Sequence, residues 1–148
     1  MNKKIVKIFL DANVLIDFAT GQKDAVDTLN FLFKKRRKEV LFTSSLALCQ
    51  MISTLQTKKK SRKAFTKRQV IEVLKHFQPK LSVLDLKAED IVSASYENSN
   101  DYEDCVQYVI SQKRKCDAVL TSNTSDFIDF DGIVAISPKL SLVSQLIK

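Results

Sequence analysis

Glycine and proline are nearly absent from this 148-residue sequence, two of each, and tryptophan is missing altogether. So few chain breakers exclude a loop-rich or low-complexity scaffold and predict regular elements joined by short connections. No apolar run is long enough to span a bilayer, so no membrane association is expected. The opening MNKKIVKIFLDANVLIDF has the basic-then-apolar look of an export signal, but Asp11 and Asp17 interrupt the apolar run and no small-residue cleavage site follows. Cysteine is scarce too: Cys49, Cys105 and Cys116 are odd in number and form no C-x-x-C pair, which argues against a disulfide framework or zinc site. Reduced thiols in a cytoplasmic protein are the expectation. The single histidine, His76, lies in the apolar-basic stretch VLKHFQP, so Ser-His-Asp and Cys-His mechanisms have no support.

Hydrophobic residues make up 45% of the chain, enough for one buried core, and residues 1–148 read as a single domain without a linker. The net charge of +7 is unevenly laid out. No acid occurs between Val40 and Ile71, a stretch that holds Lys58, Lys59, Lys60, Arg62, Lys63, Lys67 and Arg68; an earlier run, KKRRK, spans 34–38. Most of the acids lie instead between Asp85 and Asp131. This asymmetry predicts a cationic surface for a polyanion beside a site rich in carboxylates, which a nucleic acid could approach only with metal between them. The bland alternative for the basic runs is a solvated helix face.

Short apolar runs at 5–10, 40–43, 81–84, 118–121 and 133–136 read as strands. Helical spacing falls between them, at 14–19, 24–35, 44–55, 66–77, 87–96 and 102–113, and a last helix is expected over 140–147. In 87–96, Ile91, Ala94 and Ser95 share one side; Ser137-Pro138 is read as the cap and first residue of the last helix. Strands alternating with helices predict an α/β domain with a mainly parallel central sheet of about five strands covered on both faces, a three-layer α/β/α arrangement.

Three segments carry candidate chemistry. In FLDANVLID, an apolar strand delivers Asp11 where a helix begins; the carboxylate either holds a hard cation, with Asn13 orienting it, or simply caps the helix. In DYED, Asp101 and Glu103 suit the positive end of a helix, whereas Asp104, one residue before Cys105, lies beside the buried side, where an unpaired charge is costly. In VLTSNTSDF, a strand is followed by a polar turn ending in Asp126; it is either an ordinary capped loop or a second carboxylate just past a strand end.

In order and spacing these segments, LDANVLID, DYEDCVQYVIS and TSNTSDF, resemble the PIN-domain family of ribonucleases, most closely the branch with a D-F/Y-E-D segment related to type II toxin nucleases. The resemblance runs nearly end to end, through ISPKLSL at 136–142. It implies a Mg²⁺- or Mn²⁺-dependent endoribonuclease, an antitoxin protein as partner, and a homodimer. It makes Asp11, Asp104 and Asp126 the metal-site carboxylates, with Asn13 and Asn123 supporting and Asn123 competing with Asp126 for the last place. One departure stands out: many members carry Glu in the helix after the second strand, where this chain has Gln50. A neutral ligand weakens the hold on a second cation, and Glu103 or Asp101 is the candidate to compensate. Gln50 also keeps open a catalytically degenerate PIN-like protein that binds RNA without cleaving it. A receiver-like phosphoryl-transfer site is disfavoured because Asn13 stands where a second Asp is expected, and no glycine-rich phosphate loop is present. A purely structural partner of an acidic protein is the remaining rival.

Overall fold

The computed structural model describes residues 4–147. Its five strands, β1 (Ile8–Leu10), β2 (Leu41–Ser44), β3 (Ser82–Leu84), β4 (Ala118–Leu120) and β5 (Val134–Ile136), form one all-parallel sheet in the order β3-β2-β1-β4-β5. β1, β2 and β4 are buried along their whole length, as expected of strands covered on both faces. The edge strands β3 and β5 are only partly buried.

Strand alternation splits the apolar side chains into two layers. Ile8, Leu10, Leu41, Ala118 and Leu120 face one side and pack with α1 (Ala12–Ala19), α2 (Lys23–Lys35), α3 (Ser45–Leu55), α4 (Lys67–Phe77) and α7 (Leu140–Leu146) through residues such as Leu15, Leu29, Met51, Phe77 and Val143. Phe9, Phe42 and Val119 face the other side, against α6 (Tyr102–Gln112) and the chain around Ala94, Phe127 and Phe130. Phe9 is fully enclosed, so truncating it to alanine should cost about 3–5 kcal/mol. Gly21, at φ +81°, closes α1 in the left-handed conformation that favours glycine.

Two sequence expectations need correction. Residues 87–96 form α5 (Ala88–Ser93) and then a 3-10 turn, Ala94–Tyr96; Asp90 and Ala94 are buried, whereas Ile91 is 46% exposed. The helix turns Asp90 inward because Lys113 waits there, with Nζ 2.6 Å from the carboxylate. Ser137 and Pro138 do not open α7. Pro138 sits in a tight turn that closes the Lys139 N–H on the Ser137 carbonyl at 2.8 Å, and Lys139 occupies the cap. Among the described residues, no helix is long and apolar enough to cross a membrane. The cysteines are free, with Cys105 and Cys116 buried and Cys49 exposed. His76 stacks on Phe18 at 5.1 Å beside Phe33 and Phe77, a packing role.

Candidate active site at the β1–β4 switch point

The strand order puts a topological switch between β1 and β4, and open parallel sheets gather ligand chemistry outside the carboxyl ends of such strands. Asp11 follows β1 directly, and its N–H extends the ladder to the Leu120 carbonyl at 3.0 Å. Its Oδ1 accepts the Ala12 N–H at 2.8 Å; its Oδ2 accepts from Asn13 Nδ2 at 3.1 Å and from Thr121 Oγ1 at 2.9 Å. Asp11 therefore does cap α1, and it does so from within a group of acids. Burial raises its pKa, bonds from Thr121, Ala12 and Asn13 oppose the rise, and the Asp126 charge adds to it.

Asn13 ties the start of α1 to the end of β4. Its Nδ2 reaches both Asp11 and Thr121, and its Oδ1 accepts the Ser122 N–H at 3.1 Å. Asp126 is exposed in the 3-10 turn Thr124–Phe127, which buried Phe127 pins to the sheet. Asn123 accepts the Asp126 N–H through its backbone carbonyl at 3.0 Å, and its own N–H donates to Thr121 Oγ1 at 3.1 Å.

Half-buried Asp104 lies in the first turn of α6, its N–H donating to Oδ1 of the N-cap Asp101 at 3.1 Å. Its pKa is pushed up to about 7, first by burial and then by the charges of Asp101, Asp11, Asp126 and Glu103. Asp11, Asp104 and Asp126, from three distant parts of the chain, thus lie within electrostatic reach of one another. Gln50 joins the same rim: its Nε2 donates to Glu103 Oε2 at 2.7 Å and its Oε1 accepts from Gln107 Nε2 at 3.1 Å.

The basic segment lies one helix away. From Gln50, α3 rises about 8 Å to Leu55, and the cationic stretch follows. Lys58, Lys59, Lys60, Lys63, Lys67 and Arg68 are exposed. Arg62 is employed otherwise: it donates to the Thr54 and Leu55 carbonyls that end α3, and packs over the Phe65 ring at 5.4 Å. Backbone bonds between Lys59 and Arg62, in both directions, fold the loop into a tight turn.

Sequence reading offered Ser44 only as a cap of α3, which it is, and gave Thr121, Ser44 and Gln107 no part in the site. Thr121 is fully buried and bonds Asp11, Asn13 and Asn123 together. A threonine opening the T-x-N turn is the one signal that pointed to it. Gln107 and Ser44 are buried polar residues on apolar helix and strand faces, a pattern that asks for a partner.

The donor set suits a hard divalent cation, since every group is an oxygen or an oxygen-bearing amide. The Asp104 pKa is raised first by burial and then by its acidic neighbours, and a bound cation would relieve both. Among the described residues, no three His, Cys, Asp or Glu side chains are already gathered closely enough to hold an ion.

The family model for the PIN domain matches residues 8–133. The chain belongs to the PIN domain family. Solved structures agree on the fold. DNA-bound VapBC from Salmonella typhimurium matches with TM-score 0.63 at 18% identity, covering 90% of this chain and 99% of that one. A toxin–antitoxin complex from Klebsiella pneumoniae gives 0.64 at 17%, with coverages of 89% and 98%. VapC20 from Mycobacterium tuberculosis, a Sarcin-Ricin loop cleaving toxin, gives 0.57 at 14%, with coverages of 76% and 87%. No curated protein matches the sequence. At these identities the neighbours establish the PIN fold, and the residues of this chain must carry the chemistry.

Proposed function

We propose that this PIN-domain protein is a Mg²⁺- or Mn²⁺-dependent endoribonuclease that hydrolyses RNA phosphodiester bonds as the toxin of a type II toxin–antitoxin pair. The observation that carries the reading is that Asp11, held at the β1–β4 switch point by Thr121 and Asn13, lies within electrostatic reach of Asp104 and Asp126, with the Asp104 pKa raised to about 7 first by burial and then by the charges of Asp101, Asp11, Asp126 and Glu103. A bound divalent ion would activate water and neutralise charge on the phosphate and leaving oxygen. The chain's own residues prepare for this. Asp11, fixed by Thr121 and Asn13, presents a carboxylate with little freedom to rotate. Asp104 and Asp126 complete the anionic pocket, and hydrolysis proceeds without a covalent enzyme intermediate. Lys58, Lys59, Lys60, Lys63, Lys67 and Arg68 bind the RNA backbone without reading sequence, while Arg62 holds their loop in shape.

The solved neighbours that are toxin–antitoxin complexes support an antitoxin partner, and a homodimer belongs to the same reading. The specific alternative is an RNA binder without cleavage, favoured by the neutral Gln50 at the rim of the site. One experiment separates the two: incubation with RNA and Mn²⁺, with EDTA and Asp11→Asn as controls. Cleavage lost in both controls is expected. Binding without cleavage under any condition selects the alternative.

A further inference from the structure

We infer that Glu103 is a fourth acidic group of the site and that Gln50 is the positioning residue that holds it there; this rests on the metal-site reading above. The direction of the hydrogen bonds makes the case. Ser44 Oγ accepts the Ala47 N–H at 2.9 Å as the cap of α3 and donates its own proton to Gln107 Oε1 at 2.6 Å. Gln107 is thereby oriented with its Nε2 toward Gln50 Oε1, at 3.1 Å, and Gln50 is left with its Nε2 on Glu103 Oε2, at 2.7 Å. Ser44 and Gln107 are buried, so neither can turn to water for another partner. Flipping the Gln50 amide would set donor against donor at Gln107 and acceptor against carboxylate at Glu103.

An exposed glutamate in the first turn of a helix ordinarily moves freely in solvent. Here a charge-assisted bond from a pre-oriented amide pins it one residue from Asp104, whose carboxyl already feels its charge. The neutrality of the partner matters. A lysine at position 50 would consume the charge of Glu103, whereas an amide orients the carboxylate and leaves its full charge for a cation.

The seam between α3 and α6 therefore takes one amide and one carboxylate, in either order. Gln50→Glu alone places two carboxylates 2.7 Å apart, and one must leave. Exchanging both, Gln50→Glu with Glu103→Gln, rebuilds every bond: the new Glu accepts from Gln107 and from the new Gln.

The test is Mn²⁺ titration by calorimetry, with melting in EDTA as a second readout, on wild type, Asp11→Asn, both single variants and the double exchange. Glu103→Gln should weaken Mn²⁺ binding about tenfold or more while leaving the EDTA melting temperature unchanged or higher. Gln50→Glu should lower that melting temperature, and the double exchange should recover both stability and most of the affinity. If Glu103→Gln binds Mn²⁺ like wild type while Asp11→Asn does not, this inference fails and the metal site stands. A double exchange no better than the worse single variant overturns it equally. Wild type that binds no Mn²⁺ overturns both the inference and the metal reading.

Discussion

Asp90 and Asp104 face the same physical problem and meet it in opposite ways. Asp90 is 3% exposed and accepts Lys113 Nζ at 2.6 Å and the Lys87 N–H at 2.7 Å, while Lys113 also reaches the Asp85 carbonyl. Its charge is neutralised, and the pair staples the end of α6 to the start of α5. Asp104 is less buried, yet burial and then the charges of Asp101, Asp11, Asp126 and Glu103 push its pKa up to about 7. A carboxylate with its own lysine belongs to the scaffold. One left without a counter-charge beside a switch point of the sheet is the group on which the proposed cation site rests.

The comparison breaks first at Lys113. Replacing it with Met strands the Asp90 charge in the interior, and the expected loss is about 3 kcal/mol in urea unfolding, at the low end for a buried pair because the lysine is part-exposed. Combining Lys113→Met with Asp90→Asn should recover most of that loss. A Lys113→Met protein as stable as wild type would remove the distinction between the two sites. Next comes Thr121→Val, which deletes a buried donor to Asp11. A hydrogen bond to a charged group of this kind contributes about 1.5 kcal/mol, and Mn²⁺ affinity should fall about tenfold because Asp11 loses its orientation. Calorimetry and unfolding on the same variant check both halves.

How much of this was legible beforehand depends on whether local pattern or tertiary partner decided the outcome. β1 and β4 were plain as apolar runs, and the parallel α/β architecture followed from their alternation with helices. Asp11 could be placed because it ends a strand and begins a helix at once. Asp90 could not: helical spacing put Ile91, Ala94 and Ser95 on one side, whereas in the fold Asp90 goes in to Lys113, 23 positions away, and Ile91 stays out. The Ser44–Gln107–Gln50–Glu103 chain was hidden for the same reason, since it joins side chains from a strand end and two helices more than 50 residues apart. Arg62 read as one more cation in a basic run. Its role at the end of α3 needed the fold of the loop.

The smallest effect sharpens the comparison most, because it should change sign with metal. The folded pKa of Asp104 is raised from 3.8 to about 7, so between those values the folded protein holds a proton that the unfolded chain has released. Stability then falls as pH rises through that window, and the penalty is complete above it. Asp104→Asn removes the titration. In EDTA the variant should match wild type near pH 4 and exceed it above pH 7, by less than about 1 kcal/mol because solvent screens a half-exposed group. With saturating Mn²⁺ the order should reverse, since the ion stabilises whichever protein holds it more tightly and the Asn variant has lost a carboxylate. Melting temperatures at pH 5 and 8, with EDTA and with Mn²⁺, suffice. A wild-type and variant pair whose difference ignores both pH and metal would place Asp104 with Asp90, as a carboxylate that only supports the fold.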